Sequence, residues 1–162
     1  MDPADIYEFK VTRAVLRVVL KGVRDRPGSA ADIFSGLSEK DIDYLLVSYD
    51  AATGGRGDIA FVVYQAQEDE VKAFCEALVE EGDITEYRVD ERVALLRFKF
   101  APEAKEREVV PLIFEILAQN GVNVEAIAYS KGVLALVVLE RRLEDALLTF
   151  QEYGLEPWEG AL

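Results

Sequence analysis

The chain has 162 residues, about half of them apolar, enough for one medium domain or two small ones with a packed core. Its 31 acidic and 18 basic residues give a formal charge of −13, which repels nucleic acid and anionic membranes and argues against both as partners. It has no histidine, the usual general base and the commonest metal ligand, and its one cysteine, Cys75, excludes an intramolecular disulfide.

In chain order, residues 6–11 alternate as a strand and 15–20 form a second one. The turn residues Gly22, Pro27 and Gly28 follow. A helix then begins, with Ala30, Ile33, Phe34 and Leu37 at the i, i+3, i+4, i+7 spacing of a one-faced helix. Residues 42–49 and 59–64 are β-branched and aromatic, and 52–58 between them reads as a hairpin loop that holds Arg56-Gly57-Asp58. Val71, Phe74, Cys75 and Leu78 repeat the helical spacing, after Glu68, Asp69 and Glu70, which suit a helix start. On that stripe Cys75 reads as a small buried hydrophobe rather than a nucleophile. Residues 84–89 close this series as a strand.

Roughly 80 residues after the strand at 15–20 the order starts again. A strand at 95–100 leads to a helix carrying Val110, Ile113, Phe114 and Leu117. Strands at 122–129 and 133–139 follow, and then a helix carrying Leu143, Ala146, Leu147 and Phe150. Each copy reads strand, helix, strand, strand, helix, strand, with helices on one face of an antiparallel sheet. The second copy lacks a last strand, and the spare strand at 6–11 is expected to complete it. The expected domains are therefore 14–90, then 6–13 with 91–153, and a tail at 154–162, where Trp158 packs either on a sheet or on a partner.

The copies differ at one loop. Where the first has Pro27-Gly28, the second has Arg107-Glu108. The first amides of a helix lack partners within it and, with the helix dipole, favour an anion such as an α-carboxylate. Pro27 suits the first helical turn, and Gly28 lets a ligand approach the backbone. Asp25 either receives an α-ammonium group or caps the turn. In the second copy Glu106 and Glu108 would repel a carboxylate. One working amino-acid pocket per chain is therefore expected.

The segment with Gly22, Asp25, Pro27, Gly28, Ala30, Ala31, Ile33 and Phe34, followed by Asp41-Ile42-Asp43 and by Gly57-Asp58-Ile59-Ala60-Phe61, resembles the first ACT domain of aspartokinase regulatory regions. Asp90-Glu91-Arg92-Val93-Ala94, then Gly121 to Ile127 and Ser130, resembles the paired second ACT domain. The likeness covers essentially the whole chain and is to the free regulatory subunit that accompanies some aspartokinases. It implies an α+β fold of two ferredoxin-like βαββαβ modules and no catalytic activity, cofactor or metal. It also implies a lysine- or threonine-like effector held where modules meet, with Arg24, Asp25, Pro27, Gly28, Ser29, Ala30 and Val47 on one side and Asn123 and Val124 closing the pocket. A homodimer formed through the sheets and a catalytic aspartokinase partner are implied too. The acidic N-terminus shows no signal-peptide pattern, and no apolar run nears the about 18 residues that span a bilayer, so a cytoplasmic location is expected. The competing reading is a dimerisation scaffold that binds no effector.

Overall fold

The computed structural model describes residues 1–24, 26–50 and 56–159. Its elements are β1 (Ile6–Arg24), α1 (Ser29–Glu39), β2 (Tyr44–Asp50), β3 (Arg56–Tyr64), α2 (Glu68–Glu80), β4 (Glu86–Phe100), α3 (Glu106–Gln119), β5 (Val124–Ser130), β6 (Val133–Leu139), α4 (Leu143–Glu152) and β7 (Trp158–Glu159). They form two compact units, Ala14–Glu91 and Met1–Arg13 with Arg92–Leu162.

In the unit Ala14–Glu91 the strand order is β2-β3-β1-β4. Antiparallel pairing sets Leu16 opposite Val63, Val18 opposite Phe61 and Leu20 opposite Ile59. Alternate residues share a face, so these six point together toward the helices. They pack with Ile33 and Leu37 of α1 and with Val71, Phe74, Cys75 and Leu78 of α2. The α2 stripe read from the sequence is thus a core stripe, whereas in α1 Ile33 and Leu37 are core, Phe34 is half-buried and Ala30, at the helix start, is exposed. Burial pushes the Cys75 thiol up to about 12, which keeps it protonated and unreactive.

The other unit has the order β1-β4-β6-β5, with the N-terminal part of β1 as the expected completing strand. Phe9 of that strand stacks on Phe98 of β4 at 4.4 Å between centroids, and both rings meet Phe150 of α4. Glu8 binds Arg97 at 3.1 Å and Lys99 at 2.8 Å. The hydrogen bond from Lys99 is the main reason its carboxyl titrates below the usual range, and Arg97 adds to it. A carboxyl depressed in the folded state adds stability that is complete above its unfolded pKa and lost as pH falls through the folded one. Glu8→Gln is therefore expected to lower the melting temperature at neutral pH and to flatten the acid side of the stability curve. Thermal melts between pH 3 and 7 check this.

The four α-helices among the described residues end alike. The N–H of Ile42, Asp83, Val122 and Leu155 returns to the carbonyl of Leu37, Leu78, Leu117 and Phe150 respectively, after a left-handed residue at Asp41, Gly82, Gly121 or Gly154. Ile42 and Val122 therefore close helices, and β2 and β5 start two residues later than the sequence suggests.

Three further features differ from expectation. The strands read at 6–11 and 15–20 are one strand, β1, and those at 84–89 and 95–100 are one strand, β4. Ala14 and Arg92 take φ of 54° and 55°, so each strand absorbs a local irregularity without a turn. Arg56-Gly57-Asp58 is not a hairpin loop but the start of β3, with Arg56 and Gly57 paired to Arg24 and Val23; residues 51–55 lie outside the described residues. Within the expected tail, Trp158 and Glu159 form β7, parallel to β1 at Lys10 and Val11. The Lys10 ammonium sits 3.7 Å from the Trp158 ring centre, and Arg13 holds Glu159.

Candidate functional site

The loop from Arg24 to Ala30 leaves a bulge in β1. Pairing with β3 slips between Leu20 and Val23, and Gly22 takes φ of 65° there. Its N–H donates to Asp58 at 3.1 Å, and its carbonyl accepts from Arg56. The Arg-Gly-Asp segment thus fixes the base of the loop. Beyond it, the Arg24 N–H donates to the Asp83 carbonyl and the Ser29 N–H to the Arg26 carbonyl, both at 3.2 Å.

Gly28 is the N-cap of α1, with φ of 92° and no side chain capping the helix. A Cβ there would meet no atom within 4 Å, so the approach to this helix start is open. Pro27 precedes the N-cap and does not occupy the first helical turn, because the turn closed by Ser29 and Arg26 ends before the helix begins. Arg24, Pro27, Gly28 and Ala30 are exposed. Asp25 lies outside the described residues.

A cavity of about 580 Å³ runs from Ser29 between α1 and α2, within the size range of small-molecule sites. Ile33, Gly36, Phe74 and Leu78 form its apolar lining, and Arg26, Asp32, Glu81 and Asp83 stand around it. A Cβ on Gly36 would come within 2.7 Å of the Phe74 ring. That contact explains a glycine inside a helix, where it costs about 1 kcal/mol relative to alanine. The Ser29 hydroxyl oxygen is buried and has no hydrogen-bond partner among the described residues. Arg26 reaches Asp32 at 3.7 Å and Asp83 at 3.8 Å. Sequence reasoning did not single out Arg26, although it sits inside the loop motif. Asp83 carries no local signal, since it arrives from the α2–β4 connection.

Of the other expected residues, Val47 lies on β2, opposite Phe61 and 39% exposed, and does not line this cavity. Asn123 and Val124 belong to the unit Met1–Arg13 with Arg92–Leu162. There the Asn123 carbonyl accepts from Leu139 at 3.0 Å, and Val124 packs against that unit's core.

The second copy of the loop is built otherwise. α3 starts at Glu106, whose carboxylate accepts from the Gly132 N–H at 2.7 Å and from the Tyr129 hydroxyl at 3.1 Å. Burial, followed by the bond to Glu106, raises the Tyr129 phenol above its ordinary value. Among the described residues no cluster of acidic or cysteine side chains could hold a metal ion, and no helix is long and apolar enough to cross a membrane.

The regulatory subunit of aspartate kinase from Thermus thermophilus, in its ligand-free form, superposes on 92% of this chain and 98% of its own, with a TM-score of 0.80 at 23% identity. The fold is that of the aspartokinase regulatory subunits. Each of its two units is a ferredoxin-like βαββαβ module of that fold, and the N-terminal strand completes the second. E. coli aspartokinase III in complex with lysine and aspartate matches more distantly, with a TM-score of 0.67 at 17% identity over 91% of this chain and 32% of that one. In sequence, the Helicobacter pylori aspartokinase is 27% identical over 133 residues, which is 82% of this chain and 32% of that protein. The chain thus spans about a third of the length of the curated relatives it matches. No family model matches it.

Proposed function

We propose that this chain is a non-catalytic regulatory protein that binds a free amino acid and shifts the activity of an aspartokinase catalytic chain. The single observation that carries the reading is the start of α1. Gly28 holds a left-handed N-cap that no side chain fills, with open space before it, and Arg56 and Asp58 hold Gly22 in the strand that leads to it. Such a helix start suits an α-carboxylate. Arg24, Pro27, Ser29 and Ala30 would frame it. The likeness to an aspartokinase that binds lysine makes lysine and threonine the first effectors to try. A regulator of this kind acts only through the effector's different affinity for two states of its partner.

Calorimetric titration with lysine and threonine tests this. Saturable binding at millimolar concentration or tighter is expected, together with its loss in Gly28→Glu, which places a carboxylate and a side chain at the opening. Gly28→Ala separates the backbone strain at φ of 92° from the blocking charge and should bind more tightly than the glutamate variant. If neither these nor the other protein amino acids bind at millimolar concentration, the sensor reading fails.

One observation favours a scaffold instead. Val47 and Tyr49 on β2, and Ile127 and Tyr129 on β5, are exposed on strands at the edges of their sheets. Edge strands with apolar side chains invite pairing, here with a second copy. Sedimentation showing a dimer that no amino acid alters, in a protein that binds none, would select that reading.

A further inference from the structure

We propose that the end of the β5–β6 hairpin is a receptor for a small carboxylate, filled in the resting protein by the chain's own Glu106. The site lies wholly within the unit Met1–Arg13 with Arg92–Leu162 and does not depend on the loop at Gly28. Its donors are the Gly132 amide, at 2.7 Å from a Glu106 oxygen, and the Tyr129 hydroxyl, at 3.1 Å from the same oxygen. Both approach like the donors of a charge-assisted carboxylate site. A cavity of about 600 Å³ opens beside them, lined by Lys105, Arg107 and Lys131 as well as by Glu106, Glu108 and Tyr129. None of those three cations has an ion-pair partner among the described residues. In a chain with 31 acidic side chains against 18 basic ones, three unpaired cations around one hollow mark a place suited to an anion.

Glu106 occupies the donors as a tethered ligand. A tethered group competes at an effective concentration of roughly millimolar or above, so a free carboxylate of ordinary affinity cannot displace it easily. This turns the charge at the second loop from mere repulsion into self-occupation. The Glu106 side chain ends in the same group as propionate, which is therefore the probe.

The full-length Glu106→Ala variant is titrated with sodium propionate at constant ionic strength, balanced with chloride because salt alone screens surface charge. The Gly132 amide is followed by NMR and the melting temperature in parallel. A saturable amide shift and a rising melting temperature are expected in the variant. Apparent affinity in the unsubstituted protein should be at least about tenfold weaker, as for a site whose competent state is seldom populated. Adding Lys131→Gln should weaken the variant's binding. An absent or non-saturable shift in the variant, an equal response in the unsubstituted protein, or an equal effect of neutral propionamide would overturn the proposal. Should Glu106→Ala fail to fold, Glu106→Gln decides. The Gly132 amide proton should then move upfield and the Tyr129 phenol should titrate at lower pH than in the parent, and unchanged signals would show that Glu106 is no ligand at all.

Discussion

Gly22→Val is expected to destabilise the protein by roughly 3 to 5 kcal/mol, a large part of the about 5–15 kcal/mol that holds a domain of this size. Two costs add. The residue sits at φ of 65°, where a β-branched side chain clashes with its own backbone. A Cβ would also fall 2.2 Å from the Thr85 hydroxyl oxygen and 2.8 Å from the Thr85 Cβ. Rotating Thr85 moves the oxygen but not its Cβ, so the backbone must shift, and Thr85 is tied to Lys21 by a 2.8 Å hydrogen bond. Urea denaturation of Gly22→Ala, alone and with Thr85→Gly, separates the two. The double variant should recover the steric part and leave the left-handed part. Because Asp58 and Arg56 hold Gly22, the same variants should loosen the loop that carries Gly28. A Gly22→Val protein as stable as its parent would mean that the bulge is not built as described.

Much of this architecture could be read from spacing. The stripes of α2 and α4 are buried as read, because a one-faced helix has only one way to lie on a sheet; in α1 Ala30 is exposed and Phe34 half-buried, and in α3 Val110 and Phe114 are half-buried while Val109 and Ile116 join Ile113 and Leu117 in the core. The joins were less legible. Residues 12–14 and 90–92 contain no glycine or proline, and at each join the strand passes through one left-handed residue, Ala14 or Arg92, that leaves no compositional mark. Residues 56–58 look like a turn by composition, yet pairing with Val23 and Arg24 holds them in β3. Of the candidate site, the sequence named the consecutive part, Pro27 to Ala30. It was silent where residues meet through the fold, as with Asp83 beside Arg26 or Gly132 beside Glu106, since periodicity carries no information on which distant loops converge.

Phe9→Ala is expected to cost about 3–5 kcal/mol, as for other buried phenylalanines cut to alanine. First and last residues of domains are commonly frayed, and a side chain nine residues from the start would then matter little. Here the ring is 4% exposed, lies nearly parallel to Phe98 at 4.4 Å and meets Phe150 at 5.0 Å. Its partners come from β4 and α4, so the N-terminal strand is held by residues that follow it far along the chain. A double-mutant cycle with Phe98→Leu should show a coupling of about 0.5–1.5 kcal/mol, the range for aromatic pairs beyond their buried area. Truncating residues 1–9 should lower stability at least as much, because it also removes Glu8 from between Arg97 and Lys99 and leaves two cations adjacent. If Phe9→Ala instead melts with its parent, the N-terminal strand is an appendage, and the second βαββαβ unit must stand on three strands.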